Sequence, residues 1–213
     1  MTKRNSRRVL SWLMALVLAF ATVEPARAQG APSAYQQSYD LEAENKLQES
    51  LTALEHVPAA QQTYVYQYRR GWLLLLLGRH PESVAAYERA IALAPAAVEP
   101  RLGMMLPQMA LRRWLDVEKN ALEVLQRDPL SYLANSRLAW SYYNLGRWAD
   151  AASVYRRVLA AYPSDVEMRV GLGWSLLKQG KAAEAAVELR QALEVAPRHR
   201  SAIEGLQAAG VPR

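Results

Sequence analysis

The chain has 213 residues, of which 51% are hydrophobic and 22% charged, and this composition excludes an intrinsically disordered protein. It has no cysteine, which excludes disulfides, thiolate metal sites, a cysteine nucleophile and lipid attachment to an N-terminal cysteine. The formal net charge of +6 does not indicate nucleic-acid binding, because residues 1–28 hold five basic residues and Glu24 and so contribute +4 of it.

Residues 1–28 have the three parts of a secretory signal peptide. Basic residues fill most of positions 3–8, the segment Val9–Val23 is mostly apolar, and residues 26–28 place alanine at both positions that a signal peptidase recognises. We therefore predict cleavage before Gln29. The apolar run of about fifteen residues is shorter than the ~20 that span a bilayer, so an uncleaved anchor is the less favoured alternative.

Two export routes fit this segment. Residues 6–10 resemble a twin-arginine signal, but Ser11 stands where a second apolar residue is usual, which favours the general secretory route. By either route the sequence predicts an exported protein, periplasmic or secreted. Residues 29–213 contain no second long apolar segment, so we expect no stable membrane insertion after signal cleavage.

Residues 29–63 are predicted to form a flexible lead followed by an N-terminal capping helix. The lead is Gln29–Ala34. Leu47, Leu51 and Leu54 recur at helical spacing within residues 36–56, which predicts the helix. An alternative left open is that this helix is half of a degenerate repeat.

The rest of the chain has a period of 34 residues. Four prolines recur at this interval, each just after an apolar-periodic run: Pro95, Pro129, Pro163 and Pro197. Proline past the end of a helix prevents its continuation and starts the next unit. The period defines four units, residues 64–97, 98–131, 132–165 and 166–199.

Each unit is predicted to be a helical hairpin. Three units have glycine at the fifteenth position, where the chain turns: Gly78, Gly146 and Gly180. The second unit has Arg112 there and also places Pro107 inside its first helix, which predicts a local kink. Small and large residues alternate along the second helices, as in Ala151, Tyr155 and Val158, and such alternation suits interlocking helices.

These residues resemble the tetratricopeptide repeat (TPR) pattern over residues 64–199, with the second unit degenerate. The matching positions of the other three units are Gly71, Gly78, Tyr87, Ala90 and Pro95; Leu138, Ala139, Tyr142, Gly146, Ala151, Tyr155 and Pro163; and Leu172, Gly173, Leu176, Gly180, Ala185, Ala192 and Pro197. The resemblance implies an all-α fold, a right-handed α-solenoid of about four antiparallel hairpins with capping helices at both ends. Residues 200–213 are predicted to form the C-terminal cap.

The resemblance also implies that the first helices line a concave groove. The ninth position of a unit faces this groove, and three of the four units have tryptophan there. The candidate partner-binding residues are Tyr68, Trp72, Arg137, Trp140, Tyr143, Asn144, Trp174 and Lys178. Two interpretations stay open. Exposed rings would form a binding stripe, whereas packed rings would only stiffen the solenoid.

Other kinds of site have little support in the sequence. Some TPR domains grip a C-terminal carboxylate, but of the five positions used for this only Arg137 fits, so we reject that mode. His56, His80 and His199 do not share a metal-ligand spacing, and no nucleophile motif or phosphate-binding loop is present. We expect no cofactor, no metal, no nucleic-acid partner and no enzymatic activity.

The sequence therefore predicts an exported scaffold that holds a peptide or helix of another protein in an aromatic groove, within an envelope or secretion assembly. The alternative is a protein that binds or guides a polysaccharide along the same groove, because aromatic rings also stack on sugars.

Overall fold

The computed structural model describes the backbone of residues 31–210 and the side chains of residues 34–210. The predicted signal peptide and its cleavage site lie outside these residues. Within the described range the chain forms eleven α-helices, a short 3₁₀ helix at Ala59–Gln61 and no strand, which confirms the all-α prediction. The helices are α1 Ala31–Ala43, α2 Leu47–Glu55, α3 Tyr64–Leu76, α4 His80–Leu93, α5 Glu99–Ala110, α6 Trp114–Leu125, α7 Tyr132–Asn144, α8 Trp148–Ala161, α9 Val166–Lys178, α10 Ala182–Val195 and α11 Arg200–Ala208.

Consecutive helices pack as hairpins: α1 with α2, α3 with α4, α5 with α6, α7 with α8, and α9 with α10. The first helix of each hairpin from α3 onward also contacts the first helix of the next, so α3, α5, α7 and α9 form one row. The last helix, α11, covers α9 and α10. No helix within residues 31–210 is both long and apolar enough to cross a bilayer.

The five hairpin turns share one backbone conformation. Each contains a residue with positive φ: Asn45 at 60°, Gly78 at 72°, Arg112 at 56°, Gly146 at 75° and Gly180 at 79°. The amide of the following residue donates to the carbonyl five positions earlier, as in Arg79 to Leu74 at 2.9 Å. This arrangement ends an α-helix in the left-handed region and satisfies carbonyls that the helix leaves without partners.

The residue after the positive-φ position is basic in all five turns: Lys46, Arg79, Arg113, Arg147 and Lys181. In the last four turns this base contacts an acid three residues further on, from 2.6 Å for Arg79–Glu82 to 4.0 Å for Lys181–Glu184. Exposed pairs of this kind contribute about 0.5 kcal/mol or less. The repeated backbone conformation is therefore the main feature that defines the turn.

Arg112 adopts at φ 56° a conformation that its side chain disfavours by roughly 1–2 kcal/mol. We expect Arg112→Gly to raise the free energy of unfolding by about 0.5–1 kcal/mol, since glycine removes this strain but makes the unfolded chain more flexible. Urea denaturation measures the change. Arg113→Gly is the control, because Arg113 has φ −82° and an ion pair with Asp116, so it should lower stability. A loss of stability in Arg112→Gly would contradict the strain argument.

The N-terminal segment differs from the single capping helix predicted over residues 36–56. It forms two helices, α1 and α2, because Asn45 breaks the chain with positive φ, and α1 begins inside the predicted flexible lead. The hairpin repeats the contacts of the next one. Ser50 Oγ donates to the Ser38 carbonyl at 2.6 Å, just as Ser83 Oγ donates to the Gly71 carbonyl at 2.7 Å. The described chain is therefore an array of five hairpins.

Successive hairpins interlock through one large side chain. The ring of Tyr87 lies against Gly71 of its own hairpin and Gly103 of the next, where an added Cβ would come within 3.0 Å and 2.6 Å of it. Tyr155 packs in the same way on Gly171, and an added Cβ there would lie 2.5 Å from the ring. At Gly103 and Gly171 the added Cβ would come closer than 3.0 Å to the ring, so glycine is needed at these two positions.

The second unit lacks this contact between a tyrosine ring and a glycine of the next hairpin. Ala121 occupies the position equivalent to Tyr87 and Tyr155, and the next unit has Arg137 where Gly103 and Gly171 stand elsewhere. Helix α5 runs through Pro107, which lacks an N–H to donate to the carbonyl of Gly103. The kink expected there stays a prediction.

Candidate binding groove

The row of first helices presents an apolar surface. Large hydrophobic side chains at groove positions of α3 and α7 are well exposed, including Val65 at 52%, Leu133 at 45% and Trp140 at 43%. Single exposed hydrophobic side chains are common on protein surfaces, so the pockets between these helices are the better guide to a binding site.

A pocket of about 510 Å³ lies where α7 meets α9 in this row, and we call it the central pocket. Helix α7 contributes Ser136, Arg137, Trp140 and Tyr143, and α9 with α11 contributes Met168, Val170, Gly171, Trp174 and Ser201. The rings of Trp140 and Tyr143 stack, with centroids 5.6 Å apart and planes 7° from parallel. The stacked rings give one wall of the pocket a flat aromatic surface.

A second pocket, of about 620 Å³, lies where α1 meets α3 and is called the N-terminal pocket. Its lining residues are Tyr39, Glu42, Ala43, Tyr68, Arg69 and Trp72. Glu42 accepts hydrogen bonds from the Trp72 indole at 2.7 Å and from Arg69, so its carboxylate is already held by the protein. The charges of Glu42 and Arg69 in this pocket therefore neutralise each other.

The three groove tryptophans are not equivalent. The Trp72 indole donates to Glu42 and packs against the core formed by α2 and α3. The Trp174 indole donates to Ser201 Oγ at 2.9 Å and packs against the core formed by α9, α10 and α11. Trp140 is the exposed one of the three. The structure therefore shows packing for Trp72 and Trp174 and exposure for Trp140, and a role of Trp140 in binding stays a prediction.

Arg137 is partly buried beside the stacked rings. Its guanidinium donates to the carbonyl of Leu102 on α5, and Tyr68 and Tyr87 lie near enough to interact with its charge. Burial lowers the pKa of Arg137 from its ordinary value, because the charged form loses hydration. The group remains protonated, and it brings a positive charge into a mainly apolar pocket.

The tyrosines of the groove stay neutral at physiological pH. Burial raises the pKa of Tyr143, and burial together with nearby Glu99 raises the pKa of Tyr68. Their hydroxyl groups can therefore donate and accept hydrogen bonds but carry no charge. Within the part of the chain that the structure describes, no group of three or more potential ligands could hold a metal ion.

The structure brings four of the eight candidate residues, Arg137, Trp140, Tyr143 and Trp174, into the central pocket, and Tyr68 and Trp72 into the N-terminal pocket. Asn144 lines a smaller pocket beside Trp140, and its amide donates to the Trp140 carbonyl at 2.8 Å. Lys178 is exposed in the last turn of α9 and lines none of these three pockets. Its role in binding stays a prediction.

Several lining residues were missed from the sequence. Met109, Ser136 and Val170 occupy groove positions of the 34-residue period, so the period itself could have identified them. Tyr39 and Glu42 lie on α1 and required recognition of the N-terminal hairpin. The signal for that hairpin is the sequence Asn45-Lys46 followed by Glu49, which matches Gly78-Arg79 followed by Glu82 at an offset of 33.

Comparison with known families identifies the repeat. Two family models, both described as tetratricopeptide repeat, match the chain, one at residues 65–97 and the other at residues 109–166 and 136–199. Together they cover more than half of the 213 residues. The chain belongs to the tetratricopeptide repeat family. The matches leave out most of α5 and the whole α1–α2 hairpin, the two parts that depart furthest from the TPR pattern.

Solved TPR structures share the fold at low sequence identity. MamA from Desulfovibrio magneticus RS-1 matches with TM-score 0.74 and 15% identity over 80% of this chain and 97% of that one. YrrB, described as a TPR protein with an unusual peptide-binding site, matches with TM-score 0.73 and 14% identity over 83% and 92%. MamA from AMB-1 matches with TM-score 0.67 and 19% identity over 84% and 96%. No curated protein matches the sequence.

Proposed function

We propose that this TPR protein is a non-enzymatic scaffold that binds a segment of another protein in the central pocket. The observation that carries the proposal is the stacked pair of Trp140 and Tyr143, which forms one wall of a pocket of about 510 Å³. Tryptophan and tyrosine dominate protein interaction hot spots because they offer a large contact area at a small loss of side-chain entropy.

The chemistry of the pocket favours a peptide. Trp174, Met168, Val170 and Met109 make its lining mainly apolar, which suits leucine, methionine or aromatic side chains. A solved structure with the same fold, YrrB, is described as having a peptide-binding site, and this supports the same class of ligand here. A polysaccharide would need polar partners for its hydroxyl groups in addition to stacking, so we regard it as the alternative outcome of the test.

Trp140→Ala is expected to weaken peptide binding by about 2 kcal/mol, or roughly thirtyfold, because it removes one exposed aromatic anchor. Peptides selected by display on the full-length protein serve as ligands, and fluorescence anisotropy measures the dissociation constants. Trp148→Ala is the control, since Trp148 opens α8 and lines none of the three pockets. Equal affinities for the two variants would refute a role for Trp140, and binding of purified polysaccharides in place of peptides would favour the alternative.

We further infer that the protein is exported and works in a bacterial envelope or secretion assembly. The three-part pattern of residues 1–28 supports this inference. Expression of the full-length gene in a bacterial host, followed by N-terminal sequencing of the protein in the periplasmic fraction, should give a chain that begins at Gln29. An intact N-terminus in the cytoplasmic fraction would refute export without bearing on the groove.

A further inference from the structure

One residue from the layer behind the first helices reaches the central pocket. The pocket lies where α7 meets α9, and α8 packs against both of these helices. Within the described chain, Tyr155 is the one residue of α8 that lines the pocket, although it is only 3% exposed. Gly171 lines the pocket as well, and an added Cβ there would lie 2.9 Å from the Tyr155 hydroxyl oxygen. The missing side chain at Gly171 therefore leaves the hydroxyl end of the ring open to the floor of the pocket.

The hydroxyl of Tyr155 has no hydrogen-bond partner within residues 34–210. Nor does its oxygen belong to the side-chain atoms of this range that are both completely buried and without a partner. The oxygen is therefore accessible from the pocket that the residue lines. Because a polar group in a mainly apolar site normally has a partner, a free hydroxyl at this place indicates a ligand group.

A second hydroxyl without a partner lies nearby. Tyr143 stacks on Trp140 and lines the same pocket, and its hydroxyl also makes no hydrogen bond within the described residues. Burial, and after it the nearby Tyr143, raises the pKa of Tyr155 above its ordinary value. Burial also raises the pKa of Tyr143. Both phenols therefore stay protonated at physiological pH, and each can donate and accept hydrogen bonds.

The equivalent tyrosine of the first unit has a different neighbour. Tyr87 packs on glycine as Tyr155 does, but Arg137 lies near enough for its charge to interact with Tyr87. At the position equivalent to Arg137, two periods later in the chain, stands Gly205, which has no side chain. Tyr87 lines none of the three pockets. A free hydroxyl that faces a cavity is therefore a property of the junction at Tyr155 and not of the repeat.

We propose that the hydroxyl groups of Tyr155 and Tyr143 bind the side-chain amide of an asparagine or glutamine in the partner segment. The inference rests on the proposed function of the central pocket and specifies which residue of the partner enters it. An amide suits the pair, because its oxygen can accept from one phenol and its NH₂ group can donate to another. The charges of the lining also favour a neutral group, since Arg137 and Glu167 are its charged residues and their formal charges cancel.

The depth of the site favours a side chain over the partner's main chain. The Tyr155 hydroxyl comes from the helix behind α7 and α9, so a main chain that lies across these two helices stays above it. The methylene groups of glutamine can pass the apolar lining at Met168 and Val170 and place the amide at the floor.

The first test compares peptides selected from a display library on the full-length wild type and on full-length Tyr155→Phe. This substitution removes the hydroxyl and keeps the ring that packs on Gly171, so the fold should persist. Peptides selected on the wild type should share asparagine or glutamine at one position, and those selected on Tyr155→Phe should have an apolar residue there. Tyr87→Phe is the matched control, because it removes the equivalent hydroxyl outside the three pockets. Thermal unfolding followed by circular dichroism checks each variant.

The second test measures dissociation constants for the wild-type consensus peptide, synthesised with glutamine, methionine or glutamate at the shared position. The wild type should bind the glutamine form about tenfold more tightly than the methionine form, because methionine leaves the buried hydroxyls without partners. Tyr155→Phe should bind these two forms about equally, and Tyr143→Phe should retain part of the preference. Tyr87→Phe should retain all of it.

Three results would overturn the inference: equal binding of the glutamine and methionine forms by the wild type, a preference that survives in Tyr155→Phe, and tightest binding of the glutamate form. A consensus without asparagine or glutamine would also remove it, but the proposed function would stand if Trp140→Ala still weakened binding of that peptide. Failure to select any peptide would remove both.

Discussion

Arg69→Met is expected to lower the free energy of unfolding by about 3 kcal/mol, because it breaks a buried ion pair and leaves polar groups without partners. Arg69 is only 3% exposed. It forms an ion pair with Glu42, donates to the Ser38 carbonyl at 3.0 Å and lies 3.7 Å from the centre of the Tyr39 ring. Because all three partners belong to α1, the substitution should detach the N-terminal hairpin first.

Two measurements test this expectation. Urea denaturation gives the loss of stability, and hydrogen exchange shows whether residues 34–55 lose protection before the rest of the chain. Arg70→Met is the control, since Arg70 is adjacent on α3 and forms no ion pair within the described residues. Its expected effect is about 0.5 kcal/mol or less. Similar losses for the two variants would show that the Arg69 contacts do not hold the hairpin in place.

Tyr155→Ala is expected to cost about 3–4 kcal/mol, because it empties the space between the third and fourth units. Tyr155 is 3% exposed and packs directly on Gly171. Gly171→Ala should cost about 1–2 kcal/mol for the opposite reason. The added methyl group would lie 2.5 Å from the ring, and this overpacking exceeds the gain of about 1 kcal/mol in helix propensity.

The double variant, with Tyr155→Ala and Gly171→Ala, tests whether the contributions of the two residues to stability are coupled. In the absence of the ring, the methyl group of Ala at position 171 has room and fills part of the cavity. The combined loss should therefore be smaller than the sum of the single losses by at least about 1 kcal/mol. Thermal or urea denaturation of the four proteins gives this coupling energy. Additive losses would mean that the contact does not govern how the hairpins fit together.

The repeat architecture was predictable because it depends on residues with few physical alternatives. Proline after a helix and glycine in a left-handed turn leave regular marks in the sequence, and so does a tyrosine that faces a small residue, as Tyr87 faces Gly71. The N-terminal hairpin was not predicted, because Asn45 forms its turn without glycine. In addition, this turn lies 33 residues before the next one, one fewer than the spacing elsewhere. Asparagine tolerates positive φ better than other non-glycine residues, but its presence alone does not signal a turn.

The environment of each tryptophan could not be predicted from position within the period. Trp72 and Trp140 occupy equivalent positions, yet the first donates to Glu42 and the second remains exposed. The difference depends on side chains about 30 residues away that do not follow the repeat. Likewise, the charge of Arg137 was visible in the sequence, but its burial follows only from how α5 and α7 pack.

At the junction after the second unit, a small residue replaces the tyrosine and a large residue replaces the glycine of the neighbouring junctions. This reversal also limits how the array can gain or lose units. If residues 98–131 were removed, Tyr87 would face Arg137 where it now faces Gly103, and two large side chains would compete for a space that holds one. The hairpins are therefore not interchangeable modules. Their order depends on which junction contains a tyrosine ring and which contains the Arg137 guanidinium. Loss or duplication of one unit would therefore require a compensating substitution in its neighbour.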